Sequence, residues 1–248
     1  MSSSQAHLDL LIDIFDFVQQ PARVLSKIKP PQLIEAIIQE FREIEYLADD
    51  PAQYFLARVD DGASLDDSVE LGRQHLTPRA RLVLRERSVV APEGALPLSW
   101  RIYLREQSLG RVYRLPWQPA IVGRRAESQA QGEAQQIAVD LQPFPTGLRV
   151  SRRHLSIGES GGQLTVENLS NNPAFIQRAG EVPVAIEAGK TPLLAGDVIL
   201  LERSQIALKV LLLPDAEQRG QDAMAAQAGQ ATTTDPQAAV EPGVVEGS

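Results

Sequence analysis

The sequence predicts a mainly β protein, with one helix-bearing stretch near the start and a disordered end. Three observations carry that prediction. Between residues 98 and 213, short apolar runs alternate with polar residues and are cut by Gly and Pro turns at near-regular spacing, the pattern of a sandwich or barrel. Near the start, Leu33, Ile34, Ile37, Ile38 and Phe41 recur at helical spacing on one face. From 214 to 248 the chain is Ala, Gln, Gly, Thr, Glu and Pro without an aromatic residue. A segment of that composition cannot bury enough apolar surface to offset its chain entropy.

Taken in order, residues 8–18 admit two readings. As a helix they bury Leu8, Leu11, Ile12 and Phe15; as a strand, Leu10, Ile12 and Ile14 share one face. Gln19-Gln20-Pro21 breaks the run, and residues 22–29 form a second short candidate strand. Pro30-Pro31 then opens the helix, where proline is tolerated in the first turn. Residues 54–59 read as a strand ending in the turn Asp60-Asp61-Gly62, and residues 82–87 as the last strand of this part. Strand, strand, helix, strand, strand over residues 1–90 resembles the β-grasp, or ubiquitin-like, fold. The competing reading is a helical hairpin, 8–20 against 31–47, serving dimerisation. Residues 91–97, rich in turn formers, are the expected linker, and residues 98–213 the second domain.

Bulk properties narrow the function. With 248 residues there is room for two modest domains. There is no cysteine, so disulfides and thiolate metal sites are excluded. The start lacks a basic signal-peptide region, and no apolar run approaches the ~20 residues that span a bilayer, so a cytoplasmic protein is expected. The net charge of −8 is uneven. Residues 1–100 carry 10 Lys and Arg against 16 Asp and Glu, residues 101–213 carry 13 against 10, and residues 214–248 carry 1 against 6. An acidic chain is a poor nucleic-acid binder, because that affinity needs many cations on the phosphate backbone. None of the three histidines has a nucleophile and carboxylate at telling spacing, Asp and Glu form no metal-loop pattern, and Gly189-Lys190-Thr191 lacks the earlier glycine of a P-loop. No enzyme, cofactor or metal is expected.

What remains is three polar clusters between apolar runs: Gly123-Arg124, Ser151-Arg152-Arg153-His154, and Asn168-Leu169-Ser170-Asn171-Asn172. Arginine's planar fork matches phosphate oxygens, and Ser and Asn add donors of fixed geometry. With Leu194-Ala195-Gly196-Asp197 following, their order resembles the forkhead-associated (FHA) domain, a phosphothreonine reader, over roughly residues 98–213. That resemblance implies an eleven-stranded β-sandwich whose loops hold phosphothreonine. It assigns Arg124, Ser151 and Arg152 to the phosphate and Asn172 to the peptide backbone, with Gly123 and His154 bracing the loops. The Asn-rich turn is short, so Asn171 competes with Asn172, and Pro173-Ala174 replaces the family's usual Gly-Thr. Arg153 points the opposite way from Arg152 in extended backbone.

The expected function is therefore a non-enzymatic phosphothreonine-binding adaptor in Ser/Thr kinase signalling. Its partners would be a phosphothreonine-containing protein and the kinase that writes the mark, with no nucleic acid and no membrane span. The alternative is a phosphate-independent assembly module that docks by its sheet faces. Thr232-Thr233-Thr234-Asp235 in the tail offers a self-ligand if a kinase modifies Thr232.

Overall fold

A computed structural model describes residues 6–15, 17–125 and 137–213. The expected tail and its Thr232–Asp235 stretch lie outside the described residues. Those described, up to Leu212, gather into one compact unit.

The first part is a four-stranded mixed sheet covered on one face by a helix. Strands β1 (His7–Ile14) and β2 (Phe17–Leu25) form an antiparallel hairpin, α1 spans Pro30–Glu40, and β3 (Tyr54–Arg58) and β4 (Arg81–Glu86) follow in the order β2-β1-β4-β3. The two central strands run parallel, with Ile12 opposite Leu82. This excludes the helical hairpin, because residues 8–14 and 17–20 are strand. The strand reading of residues 8–14 holds: Leu10, Ile12 and Ile14 are buried, as are Leu33, Ile34, Ile37 and Ile38 of α1. Each fully buried aliphatic side chain contributes about 1.5–3 kcal/mol. The break expected at Pro21 is absent. Pro21 lies within β2, opposite Leu11, on an edge strand whose outer side needs no amide donor. The turn comes earlier, beside Phe15 at φ 45°. Ile28 belongs to a turn rather than a strand, since its amide donates back to the Leu25 carbonyl.

The second part is a sandwich of eleven strands. One sheet holds β7 (Ala120–Gly123), β8 (Ile137–Asp140), β9 (Leu155–Ser160), β10 (Gln163–Asn168) and β13 (Thr191–Pro192), in the order β13-β10-β9-β7-β8. The other holds β5 (Arg101–Glu106), β6 (Val112–Leu115), β11 (Ala174–Gln177), β12 (Val184–Ala185), β14 (Val198–Leu201) and β15 (Ile206–Leu213), in the order β12-β11-β14-β15-β5-β6. Alternation along each strand sends one set of residues into the gap between the sheets, where Leu104, Val122, Leu155, Val166, Ile199 and Leu208 are fully buried.

Between the parts, residues 92–95 make a turn closed by Ala95 N–H on the Pro92 carbonyl, and Leu96 bridges to Gln118. The outer face of β5 carries the contact with the first part. Glu86 accepts from the Tyr103 hydroxyl at 3.1 Å and from Arg114 at 2.9 Å, and the Tyr46 and Tyr103 rings sit 5.8 Å apart. Lys209 reaches both oxygens of Glu45 at 2.7 and 2.8 Å, and Arg105 donates to the Glu45 carbonyl at 2.9 Å.

Candidate functional site

The site lies where β7 ends and β9 begins. Antiparallel pairing of the two strands continues past them: His154 N–H donates to the Val122 carbonyl, and Arg124 N–H to the Ser151 carbonyl. Residues nearly thirty positions apart are thereby fixed side by side. Gly123 is the reason they fit. A Cβ there would stand 2.1 Å from the Arg152 carbonyl oxygen and 3.0 Å from that of Ser151. Any other residue would push the Ser151–Arg152 backbone away.

Arg124 is half-buried, and its Nε donates to the Val150 carbonyl at 2.8 Å. One edge of the guanidinium is therefore anchored by a neutral backbone oxygen. Among the described residues no carboxylate lies within 4.0 Å of Arg124, Arg149 or Arg152. Arg152 is exposed beside Ser151, whereas Arg153 lines a hollow with Trp117, Pro119 and the 92–95 turn. Arg125 is tied to Asp140, its N–H 3.0 Å from Oδ1 and its Nε 4.0 Å from Oδ2.

The Asn-rich loop completes the cluster. Asn172 Nδ2 donates to Ser151 Oγ at 3.0 Å and points to the Arg149 carbonyl at 3.4 Å. Asn171 is exposed and makes no side-chain hydrogen bond among the described residues, so it is Asn172 that the fold brings to Ser151. The loop is stitched from within. Asn168 Oδ1 accepts from Ser170 N–H at 3.0 Å, Asn168 Nδ2 donates to the Asn172 carbonyl at 3.0 Å, and Asn172 N–H donates to Ser170 Oγ at 3.1 Å. Pro173 opens the next strand, its carbonyl accepting from Glu202 N–H at 3.2 Å, so the lost amide donor falls outside this network.

His154 is 1 % exposed, with Nε2 3.3 Å from the Asn172 carbonyl and Nδ1 buried without a hydrogen-bond partner. Burial pushes its pKa down, against a weaker upward pull from the Asn172 carbonyl. A neutral ring donating from Nε2 satisfies this geometry. Through the Asn172 carbonyl it ties the Asn-rich loop to the start of β9.

Sequence reading missed Arg149 and the internal role of Asn168. Arg149 ends a short 3-10 turn made possible by Gly147, where a Cβ would meet the Leu141 carbonyl oxygen at 2.2 Å. Its own carbonyl faces Asn172, and its exposed side chain reaches towards the Arg203 carbonyl at 3.5 Å. For Asn168 the signal was present: Asn followed two residues later by Ser is an Asx-turn pattern.

The cluster as a whole is an open, cationic loop site. It offers donors from two arginine forks, one hydroxyl and one amide, groups whose geometry matches the oxygens of an anion. Among the described residues no group of three or more His, Asp or Glu could hold a metal ion, and no helix is long and apolar enough to cross a membrane.

No family model and no curated protein sequence matches the chain. Several solved structures are similar to it in part. The FHA domain of human APLF in complex with an XRCC1 bisphospho peptide is 23% identical, covering 45% of this chain and 97% of that one at a TM-score of 0.33. A structure from a study of phosphothreonine-dependent FHA domain interactions is 27% identical, covering 46% and 98% at a TM-score of 0.32. The FHA domain of an Arabidopsis thaliana hypothetical protein is 19% identical, covering 50% and 92% at a TM-score of 0.30.

Proposed function

We propose that the sandwich is an FHA-like module that binds phosphothreonine segments of partner proteins, with Arg124, Ser151 and Arg152 on the phosphate and Asn172 on the peptide. One observation carries this reading. Arg124 and Ser151 converge at one end of the sandwich, Asn172 is bonded to Ser151 Oγ, and no carboxylate among the described residues neutralises the arginines. A phosphothreonine brings about −1.5 to −2 charges at neutral pH. Hydrogen bonds to a charged group contribute ~1.5–3 kcal/mol each. Four such donors supply most of the roughly 8 kcal/mol that a micromolar affinity requires. The chain then acts as an adaptor for marks written by a Ser/Thr kinase. The first part, which we read as β-grasp from its strand order and central parallel pair, is held against the outer face of β5.

A second reading is favoured by the outer face of the six-stranded sheet. Ala185, Phe175, Leu200 and Ala207 oppose one another across four strands there and are only partly covered. Such a stripe suits a phosphate-independent docking partner. A degenerate phosphothreonine peptide library and its unphosphorylated counterpart, each presented to the full chain, separate the two. Enrichment from the phosphorylated library alone supports the phosphate reader. Equal enrichment from both, or partners that survive phosphatase treatment, supports docking by the sheet.

A further inference from the structure

Ser88 stands just past the end of β4, on the stretch that joins the two parts. Pairing within the first sheet runs one residue beyond the strand, since Arg87 N–H donates to the Gln53 carbonyl at 2.7 Å. After that little holds the chain. Residues 88–91 are exposed, Val90 to 90 %, and among the described residues neither the Ser88 hydroxyl nor the N–H groups of 88–91 make a hydrogen bond. A stretch with so few ties opens at low cost, so an enzyme's cleft can reach its hydroxyl.

The surroundings of Ser88 are basic on both sides of the junction. Ser88 and Arg87 share a hollow of about 420 Å³ with Arg114 and Pro116 of the sandwich. Glu86, two positions before Ser88 in the extended run, points to the same side and accepts from Arg114 Nη1 at 2.9 Å. Arg87 pairs through Nη2 with Asp67. These four groups balance in charge, but each guanidinium uses one nitrogen and keeps its other N–H groups for a second acceptor. The Arg87–Asp67 pair is exposed on both sides, and such a pair holds its members loosely.

A phosphate on Ser88 would bring about −1.5 to −2 charges and three acceptor oxygens into this hollow. Opposite arginines, such a group makes new charge-assisted hydrogen bonds that can order a loop or dock a domain. Ser88 follows the last strand of the first part, whereas Arg114 lies on β6, so those bonds would cross the junction.

We propose that Ser88 is a phosphorylation site whose phosphate sits between Arg87 and Arg114 and ties the joining stretch to β6. A Ser/Thr kinase makes the transfer from ATP. The Ser88 Oγ–P bond forms, the bond from the γ-phosphorus to the β,γ-bridging oxygen breaks, ADP leaves, and the hydroxyl proton passes through the kinase's base to solvent.

The test has two stages. A peptide of residues 83–93 is used to find a Ser/Thr kinase that modifies Ser88, and that kinase is applied with ATP to the full chain. Fragment masses should place a phosphate on Ser88 of the chain, and Ser88→Ala should lack it. A kinase that modifies the peptide but not the folded chain, or a panel that modifies neither, overturns the site. Full chains carrying phosphoserine at position 88, installed during translation, are then titrated by 31P NMR beside the phosphopeptide. The second pKa of the phosphate, about 6 in the peptide, should fall to about 5.5 or lower in the chain. Arg114→Gln should return most of that fall, and Arg87→Gln a smaller part. Circular dichroism matching the parent shows that Arg114→Gln is folded; if it is not, the exposed Arg87 carries the comparison. A peptide-like value in the parent, or a low value that survives both substitutions, overturns the seat. Arg124→Ala should leave the value unchanged; a return to the peptide value there would place the phosphate on the loop tip of another copy and overturn the proposal as well.

Discussion

Gly123 and His154 show how much of the proposed binding loop is set by residues that shape its backbone. Gly123 permits a backbone contact that a single methyl would fill, since its Cβ would lie 2.1 Å from the Arg152 carbonyl oxygen. Gly123→Ala should therefore lose about 1–3 kcal/mol of stability by overpacking, read as a lower urea midpoint, and should weaken peptide binding by displacing Ser151. His154 gives a pH dependence of definite sign. Burial holds its folded pKa below the ordinary value, so the neutral ring belongs to the folded state. Its contribution is complete above about pH 6.5 and is lost as the pH falls through that value towards the depressed folded one. Unfolding without peptide, which avoids the phosphate's own titration near pH 6, should show the urea midpoint falling over this window. His154→Gln should be less stable at pH 7.5 and lack that part of the slope. These two roles were legible because Gly-Arg and Ser-Arg-Arg-His are local motifs. The choice between Asn171 and Asn172 was not legible, because it depends on which amide the loop turns towards Ser151. Arg149 was invisible because a lone arginine in a loop has no pattern; its setting comes from Asn172, 23 positions away.

At the scale of elements, pattern and pairing carried different information. The sandwich strands could be read from alternation and turns, which are local. Residues 8–14 could not, because Leu10, Leu11, Ile12 and Ile14 fit both a helical and a strand period. Parallel pairing with β4, some seventy residues on, settles them. Pro21 misled for a related reason. Proline stops an interior strand but is tolerated on an edge, and edge status is a property of the sheet. The contact on β5 was equally hidden, since Tyr103 and Glu86 carry no motif. Glu86 is largely buried, and burial raises its pKa against the opposing pull of Arg114 and Tyr103. Glu86→Ala leaves the nearly buried Tyr103 hydroxyl without its acceptor and Arg114 without its partner. It should cost about 1–3 kcal/mol, seen as a lower thermal midpoint, with peptide binding at the far loops unchanged at 25 °C.

On the scale of the whole molecule, the described residues up to Leu212 form one compact unit, joined through Glu86, Glu45 and the Tyr46–Tyr103 pair. Unfolding should accordingly be a single transition, with tyrosine signals of the first part and Trp117 of the sandwich lost together. Two separated transitions would show that the parts fold independently. The uneven charge also acts at this scale. The segment with more cations than acids is the one that bears the proposed phosphate site, so binding should weaken with added salt as exposed charges are screened.

The convergence of Arg124 with Ser151 is the central claim, and calorimetry with a phosphothreonine peptide selected from the library tests it most directly. The parent chain should bind with a dissociation constant in the micromolar range. Ser151→Ala should weaken binding about five- to tenfold, the size of one net hydrogen bond, and Arg124→Ala should remove measurable binding. An Arg124→Ala chain that binds the peptide as tightly as the parent would contradict it.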